Sequence, residues 1–306
     1  MHTNAGDVST PGPSAESPRP GVWLTEVTLV LMALIWGVNF VVVKFATGLL
    51  PPLAFNAARV TLAAAALMIV AALRRTPWPG RMQTLSLLAL GVLGNGIYQV
   101  FFIQGLAHTR ASDAAILVAA TPASIALLGR IRGVERIQRK GWAGILLSVV
   151  GVAFVSGAAA LAQSHASLVG DLLILCGTFC WALYTVLLKP HTHTVDGVKL
   201  AALTMVGGAI ALMLIGWPAV LATDWRAAPR GAWAAMAYSG IGGLVIAYMF
   251  WYRGVRVIGP TRTAMYSNLQ PIIAVAVAWA VLGEIPTLWQ SVGAASIMSG
   301  LLLTRS

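Results

Sequence analysis

The 306-residue sequence predicts an all-α polytopic membrane protein with ten transmembrane helices, arranged as two inverted five-helix repeats. Three observations predict this fold class. Hydrophobic residues make up 58% of the chain and charged residues only 9%, against roughly 25% charged residues in an ordinary soluble domain. Apolar runs of helical length follow one another with short gaps, and the two halves of the chain resemble each other. The composition excludes a soluble enzyme, a disordered chain and a disulfide-stapled secreted domain.

Each of the ten apolar runs is long enough to cross a bilayer, which takes about 20 residues of helix. The gaps between them carry Pro, Gly or charged residues, which favour helix ends. Arg130 and Arg132 crowd the end of the fourth span, so its boundary is the least defined. The predicted spans are 24–46, 53–73, 83–106, 112–130, 141–159, 168–189, 198–221, 231–254, 262–282 and 287–304.

The first 22 residues are rich in Pro, Gly, Ser and Thr and lack the apolar core of a signal peptide. They are predicted to form a disordered cytoplasmic tail. The predicted domains are therefore this tail (1–22), a first repeat with spans one to five (23–160) and a second repeat with spans six to ten (161–306).

The basic residues predict the orientation of the chain. With a cytoplasmic N-terminus, the four groups Lys44, Arg110, Arg226 and Arg230 lie near the outer span ends. Fifteen lie near the inner ends: Arg19, Arg74, Arg75, Arg81, Arg130, Arg132, Arg136, Arg139, Lys140, Lys189, Lys199, Arg253, Arg256, Arg262 and Arg305. The positive-inside rule then predicts that both termini are cytoplasmic, in a bacterial-type inner (plasma) membrane. The same rule accounts for the net charge of +11 without a nucleic-acid partner.

Shared motifs indicate that the chain is duplicated. The stretch from Trp36 to Lys44 recurs 145 residues later as Trp181 to Lys189. An offset of 149 aligns Gly105 with Gly254, Ala115 with Ala264, Pro122 with Pro271, Glu135 with Glu284, Gly144 with Gly293 and Gly151 with Gly300. Because five spans is an odd number, the second copy enters from the opposite side of the membrane. Secondary transporters use such inverted repeats for alternating access, with the substrate site near mid-membrane.

Arg59 is a charged residue that lies within the apolar second span. It lies seven residues after Pro52, about 10 Å along the helix, and a permanent cation at that depth needs a partner. One interpretation is that it holds a substrate carboxylate or lines an outer vestibule. The other is helix packing, with bonds to backbone carbonyls or to a neighbouring amide such as Asn56. The sequence alone does not distinguish between these two interpretations.

Other polar and aromatic residues deep in the spans are candidates for the same site. Asn39 shares a helix face with Trp36 and would bind either a ligand or a neighbouring helix. Symmetry-related positions near a repeat interface favour a central cavity, and the offset pairs Gln99 with Tyr248. The substrate-binding candidates are Trp36, Asn39, Arg59, Tyr98, Gln99, Phe102, Trp181, Tyr184, Tyr248, Trp251, Tyr266 and Asn268. Each aromatic residue has packing between helices as its alternative role.

Two prolines and two acidic residues have predicted structural roles. Pro122 and Pro271 either free a backbone carbonyl toward a cavity or only kink their spans. Gln270, directly before Pro271, lies close to the candidate site. Glu135 and Glu284 are interpreted as caps of the fifth and tenth helices, since acidic residues favour helix N-termini.

These motifs resemble the drug/metabolite transporter (DMT) superfamily, and specifically its EamA-type ten-helix exporters. The resemblance covers residues 24–304. The matching features are Trp36-Gly-x-Asn-Phe running to Lys44, Arg59, Ala247-Tyr-Met-Phe-Trp251 before Gly254, and Pro271 followed by Leu282-Gly-Glu284. Two departures stand out: Gly129-Arg-Ile-Arg-Gly-Val-Glu135 replaces an apolar stretch, and the motif at Trp181 lacks Gly-x-Asn, which leaves Asn39 without a symmetric partner.

The resemblance implies an inner-membrane exporter of small metabolites, often amino acids, with aromatic-amino-acid exporters of the YddG type as one subgroup. Rings, amides and one guanidinium suit a small amphipathic substrate with a carboxylate. Alternatives are a carrier of nucleobases, cationic drugs or phosphorylated solutes and, from other classes, an intramembrane enzyme or a channel. The histidines lie in the tail or at loop edges and form no catalytic pair. We therefore expect that the protein is not an enzyme and that it binds no metal or cofactor. The partners expected are the substrate and the lipid bilayer.

Overall fold

The computed structural model describes residues 20–132, 139–161, 165–267 and 269–305, which are almost entirely helical and contain no β-strand. The helices are α1 (Pro20–Thr47), α2 (Pro52–Leu73), α3 (Arg81–Gly91), α4 (Tyr98–His108), α5 (Ala111–Val118), α6 (Thr121–Ile131), α7 (Arg139–Leu161), α8 (His165–Leu188), α9 (His191–Thr194), α10 (Gly197–Ala222), α11 (Arg230–Ala237), α12 (Ala247–Val257), α13 (Pro260–Tyr266), α14 (Leu269–Leu282) and α15 (Leu288–Arg305). Two π-helical segments, π1 (Val92–Ile97) and π2 (Tyr238–Ile246), join α3 to α4 and α11 to α12.

The predicted fold class is confirmed. Within the described residues, eight helical stretches are long and apolar enough to cross a membrane. They are Trp23–Thr47, Pro52–Leu73, Arg81–His108, Ala111–Ile131, Ser167–Leu188, Gly197–Ala222, Arg230–Val257 and Arg262–Leu282. The remaining predicted spans, 141–159 and 287–304, lie in α7 and α15, which pack along each other. Large apolar side chains such as Leu73 and Met82 remain exposed on the outside of the bundle, as a surface facing lipid requires.

The contacts between spans follow the two-repeat symmetry. The second span packs on the seventh, α2 against α10, and the fifth on the tenth, so equivalent helices of the two repeats meet each other. The first span packs on the eighth and the ninth, and its counterpart, the sixth, packs on the third and the fourth. The two halves therefore share one interface, and a residue near its centre is within reach of both repeats.

A π-helical segment interrupts the same span of each repeat. π1 ends at Ile97 and π2 at Ile246, which is 149 residues later. Both are rich in glycine, which leaves room for close neighbours: a Cβ on Gly94 would lie 2.2 Å from the ring of Tyr184. Such π-helical bulges often mark functional positions in helices. Here each one directly precedes the helix, α4 or α12, that faces the centre of the bundle.

The fourth and ninth spans are broken helices. α5 ends at Val118 and α6 begins at Thr121, while α13 ends at Tyr266 and α14 begins at Leu269. Each break lies directly before one of the aligned prolines, Pro122 or Pro271, and proline cannot donate the backbone hydrogen bond that would continue the helix. The prolines thus do more than kink the spans, because each lies in the first turn of a new helix that begins near the middle of its span.

Glycines allow α3 and α10 to cross at close range. A Cβ on Gly91 would lie 2.0 Å from the carbonyl oxygen of Thr204, and one on Gly207 would lie 2.1 Å from the carbonyl oxygen of Leu88. Neither position has room for any side chain. Small residues at such crossings bring backbones together and are a common basis of helix association in membranes.

The prediction that Glu284 caps the tenth helix is wrong, because Glu284 caps a different helix. Its carboxylate caps α5 of the other repeat, accepting hydrogen bonds from the Ala111 and Ser112 N–H groups, both at 3.1 Å, and from Ser112 Oγ at 2.7 Å. The tenth span is capped by its own residues, because Thr287 Oγ1 accepts from Gln290 N–H and Gln290 Oε1 accepts from Thr287 N–H. Glu135, the aligned acid, lies outside the described residues.

Candidate functional site

A central cavity lies between the two repeats and encloses about 610 Å³ including its open side. Both repeats contribute to its lining: Trp36, Asn39, Phe40, Arg59, Tyr98, Gln99, Phe102, Val118, Thr121, Thr178, Trp181, Gly243, Leu244, Tyr248, Ser267 and Gln270. No carboxylate is among the described lining residues.

Four aromatic side chains form one wall of the cavity. The ring centroids of Trp36 and Trp181 are 6.1 Å apart, Tyr248 lies 5.7 Å from Trp36, and Tyr98 lies 5.2 Å from Trp181. The indole Nε1 of Trp36 donates a 2.8 Å hydrogen bond to the carbonyl oxygen of Gly243, which fixes that ring. Rings at these separations form a rigid apolar surface on which a flat apolar group can stack.

Arg59 also lines the cavity and is fully buried. Its Nε donates to Asn56 Oδ1 at 2.8 Å and its Nη2 donates to Gln99 Oε1 at 2.8 Å. Its guanidinium carbon also lies 5.7 Å from the ring centroid of Phe55 and 6.0 Å from that of Phe102. In the described part of the chain, no carboxylate lies within ion-pairing distance of Arg59, so its charge is held by amides and ring faces.

One nitrogen of Arg59 and one oxygen of Asn39 have no hydrogen-bond partner in the described structure. The atoms are Nη1 of Arg59 and Oδ1 of Asn39, and both are buried in the same cavity. A buried polar atom without a partner costs about 1–3 kcal/mol, so such atoms call for an explanation. A charged donor and an acceptor, both without a partner, therefore belong to two residues that line the same cavity.

The amides around Arg59 fix the direction of its guanidinium. Asn56 Nδ2 donates to the backbone carbonyl of Gln99 at 2.9 Å, and this bond ties α2 to α4 beside the cavity. Two nitrogens of Arg59 bond to neighbouring amides, as the packing interpretation expects, while the substrate interpretation stays a prediction.

The broken helices bring small polar groups to the cavity. Thr121 at the start of α6, Ser267 between α13 and α14, and Gln270 in the first turn of α14 all line it. Thr121 Oγ1 donates to the Val118 carbonyl at 2.5 Å. Irregular backbone at membrane depth is tolerated where it lines a cavity or is buried in protein.

Eight of the twelve predicted site residues line the cavity: Trp36, Asn39, Arg59, Tyr98, Gln99, Phe102, Trp181 and Tyr248. Tyr184 and Trp251 lie behind the aromatic wall, fully buried, with Trp251 5.5 Å and Tyr184 5.2 Å from the ring centroid of Trp181. Tyr266 is half-buried and packs against the core, and it is not one of the residues that line the cavity. Asn268 lies outside the described residues.

Several other lining residues carry little signal in the sequence. Phe40, Val118, Thr178, Gly243 and Leu244 are ordinary residues for a membrane helix, and their periodicity alone does not separate a cavity face from a packed face. Thr121 and Ser267 had a usable signal, because each lies beside a break that an aligned proline marks.

The sequence matches one protein family twice. The model of the EamA-like transporter family matches residues 23–157 and again residues 168–306. Among similar proteins, the uncharacterized transporter YyaM of Bacillus subtilis is 27% identical over 270 residues, which cover 87% of this chain and 88% of YyaM. A probable terminal-alkyne amino-acid exporter of Streptantibioticus cattleyicolor is 29% identical over 279 residues, covering 90% and 91% of the two chains.

The fold also has a counterpart among solved structures. One crystal structure superposes with a TM-score of 0.66 over 92% of this chain and 97% of its own, at 20% sequence identity. At that identity the likeness concerns the arrangement of the helices alone.

Proposed function

This chain belongs to the EamA-like transporter family of two-repeat helical membrane proteins, and from that premise we propose that it exports small zwitterionic amino acids, aromatic ones foremost. The export proceeds by alternating access, in which the first repeat (23–160) and the second (161–306) rock about the shared cavity. The membrane is the plasma membrane of a bacterial-type cell, with both termini in the cytoplasm, because 15 basic groups lie near one set of span ends and 4 near the other.

The observation that carries the proposal is the pair of unpartnered atoms in the cavity. Arg59 Nη1 offers a charged N–H donor that suits a carboxylate, and Asn39 Oδ1 offers an acceptor that suits an ammonium group. An α-amino acid carries both groups on one carbon. The wall of Trp36, Trp181, Tyr98 and Tyr248 then receives an aromatic side chain. Occupancy by such a substrate would give both buried atoms a partner.

The composition of the lining disfavours the other substrate classes. A cationic drug would bring a second positive charge close to the buried Arg59 with no carboxylate in the described lining to offset it. A phosphorylated solute would bring two negative charges to a single guanidinium. One relative, named a probable amino-acid exporter, supports the amino-acid assignment.

The proposal predicts a selective effect of Asn39→Ala. We expect this variant to bind tryptophan about tenfold more weakly, because it loses a hydrogen bond to a charged ammonium group. Binding of indole-3-propionate, which has the same ring and carboxylate but no amine, is expected to stay unchanged. Isothermal titration calorimetry on the detergent-solubilised protein measures both affinities.

Two results would contradict the assignment of Asn39. A loss of similar size for both ligands would show that Asn39 only shapes the cavity. Unchanged affinity for both ligands in the variant would show that the ammonium group is recognised elsewhere.

A further inference from the structure

A second recess lies on the side of the bundle, between the N-terminal parts of α1 and α10 and the C-terminal part of α12. It encloses about 1240 Å³ including its open side and shares no lining residue with the central cavity. It lies at the span ends that carry most of the basic residues of the chain. We call it the α1–α10–α12 groove, lined by Leu24, Thr28, Thr192, Asp196, Gly197, Val198, Leu200, Met249, Phe250, Tyr252, Arg253, Arg256 and Val257.

The groove wall on α12 is apolar at one end and cationic at the other. Met249 and Phe250 precede Arg253 by about one helical turn, and Arg256 follows it on the same face. Four residues of helix separate Met249 from Arg253, which is about 6 Å along the axis. Leu24 of α1 adds an exposed apolar side chain across the groove. An amphipathic molecule with an anionic head fits this gradient.

The positive charges of the groove are available to a ligand. In the described structure neither Arg253 nor Arg256 lies within 4.0 Å of a carboxylate, and the Nε of Arg253 donates only to Thr25 Oγ1 at 3.1 Å. The one carboxylate of the groove, Asp196, is already used as the cap of α10, accepting from the Val198 and Lys199 N–H groups at 3.1 and 3.3 Å.

We infer that this groove binds an anionic phospholipid. The phosphate pairs with the guanidinium groups of Arg253 and Arg256, and an acyl chain lies over Met249, Phe250 and Leu24. Charge complementarity selects an anionic headgroup, because arginines near a membrane surface attract such lipids and form short charge-assisted bonds with phosphate. The apolar floor, which opens to the outside of the bundle, selects a lipid over a free phosphate.

The groove is connected to the central cavity through α12. Tyr248 of the cavity wall is followed directly by Met249 of the groove, and Tyr252 of the groove lies 5.8 Å from the Tyr248 ring centroid and 2.6 Å, hydroxyl to hydroxyl, from Tyr184. A lipid bound across α1, α10 and α12 therefore stabilises the arrangement that holds the aromatic wall.

The test compares lipid binding to the full-length wild-type protein and to the double variant Arg253→Gln, Arg256→Gln. Native mass spectrometry in a neutral detergent gives dissociation constants for phosphatidylglycerol and for phosphatidylcholine of the same acyl chains. We expect wild type to prefer phosphatidylglycerol and the double variant to bind it about 30-fold more weakly, as the loss of two cationic groups predicts. Phosphatidylcholine binding should be the same in both proteins.

A matched control removes two basic residues from the same set of span ends. Arg74 and Arg75 are exposed and do not line this groove, so Arg74→Gln, Arg75→Gln is expected to keep wild-type affinity for phosphatidylglycerol. The inference is overturned if the groove variant keeps wild-type affinity, if both double variants lose the same affinity, or if soluble glycerol phosphate competes as well as the lipid does. Competition by glycerol phosphate would show that the two arginines bind a free anion and not a lipid.

Discussion

Replacing Arg59 by glutamine is expected to weaken tryptophan binding by about 30-fold or more, because truncating one partner of a buried charge pair costs about 2–5 kcal/mol. Arg59 lines the cavity and is fully buried, and its Nη1 is a charged donor without a partner in the described structure. Glutamine retains a polar group near Asn56 and Gln99 but removes the positive charge. We therefore expect the variant to lose affinity for the substrate carboxylate while the fold stays largely intact.

Tryptamine, which lacks the carboxylate, separates the two roles of Arg59. If Arg59 holds the carboxylate, Arg59→Gln weakens tryptophan binding strongly and tryptamine binding little or not at all. Arg59→Lys keeps the charge without the planar fork of donors, and we expect its affinity for tryptophan to lie between those of wild type and Arg59→Gln. Calorimetry gives the affinities, and thermal unfolding checks that each variant is folded. An equal loss for both ligands would show that Arg59 only joins α2 to α4.

Replacing Gly91 by alanine is expected to destabilise the fold by about 3 kcal/mol, the upper end of the usual cost of overpacking. Its new Cβ would lie 2.0 Å from the carbonyl oxygen of Thr204. The obstacle is backbone, so no side-chain rotation relieves the clash, and α3 must move away from α10. Gly207→Ala should have a similar effect, because its Cβ meets the Leu88 carbonyl at 2.1 Å in the same crossing.

Thermal unfolding in one detergent, followed by circular dichroism, measures the loss. Gly80→Ala is the matched control, since a Cβ there meets nothing within 4 Å and the residue lies directly before the same helix α3. We expect Gly80→Ala to unfold at nearly the wild-type temperature and Gly91→Ala several degrees lower. Wild-type stability in Gly91→Ala would mean that α3 and α10 are not held at this close distance.

The helices and the duplication could be predicted from the sequence because both depend on patterns along the chain. Long apolar runs define spans whatever their neighbours are, and an aligned pair such as Pro122 and Pro271 keeps its spacing when two copies fold alike. The helix breaks directly before these prolines follow from the same chemistry. The sequence did not tell whether each proline only bends its span or begins a new helix.

The cavity wall could be predicted only in part, because a sequence gives the face of a helix but not the helix that it meets. Trp181 and Tyr184 lie three residues apart on α8, yet Trp181 lines the cavity while Tyr184 turns to Tyr252 and bonds to its hydroxyl. Trp251 likewise packs behind the wall that Tyr248 forms. The way in which the helices pack against one another determines which of two neighbouring side chains lines the cavity.

Glu284 illustrates a second limit of the sequence. An acidic residue shortly before a helix indicates a cap of that helix, and this reasoning assigned it to the tenth span. The competing capping box of Thr287 and Gln290 was also in the sequence. The actual partner, the start of α5, is more than 170 residues away along the chain, and only the packing of the two repeats brings it near.

The measurement that tests the central claim most directly is uptake of labelled tryptophan into proteoliposomes without an ion gradient, compared with empty liposomes. The lining holds an arginine and amides but, among its described residues, no carboxylate that would carry a coupling proton. We therefore predict rapid uptake that stops when the inner and outer tryptophan concentrations are equal, and competition by other aromatic amino acids. Uptake no faster than into empty liposomes, with protein shown to be folded, would contradict the proposal that this cavity carries aromatic amino acids.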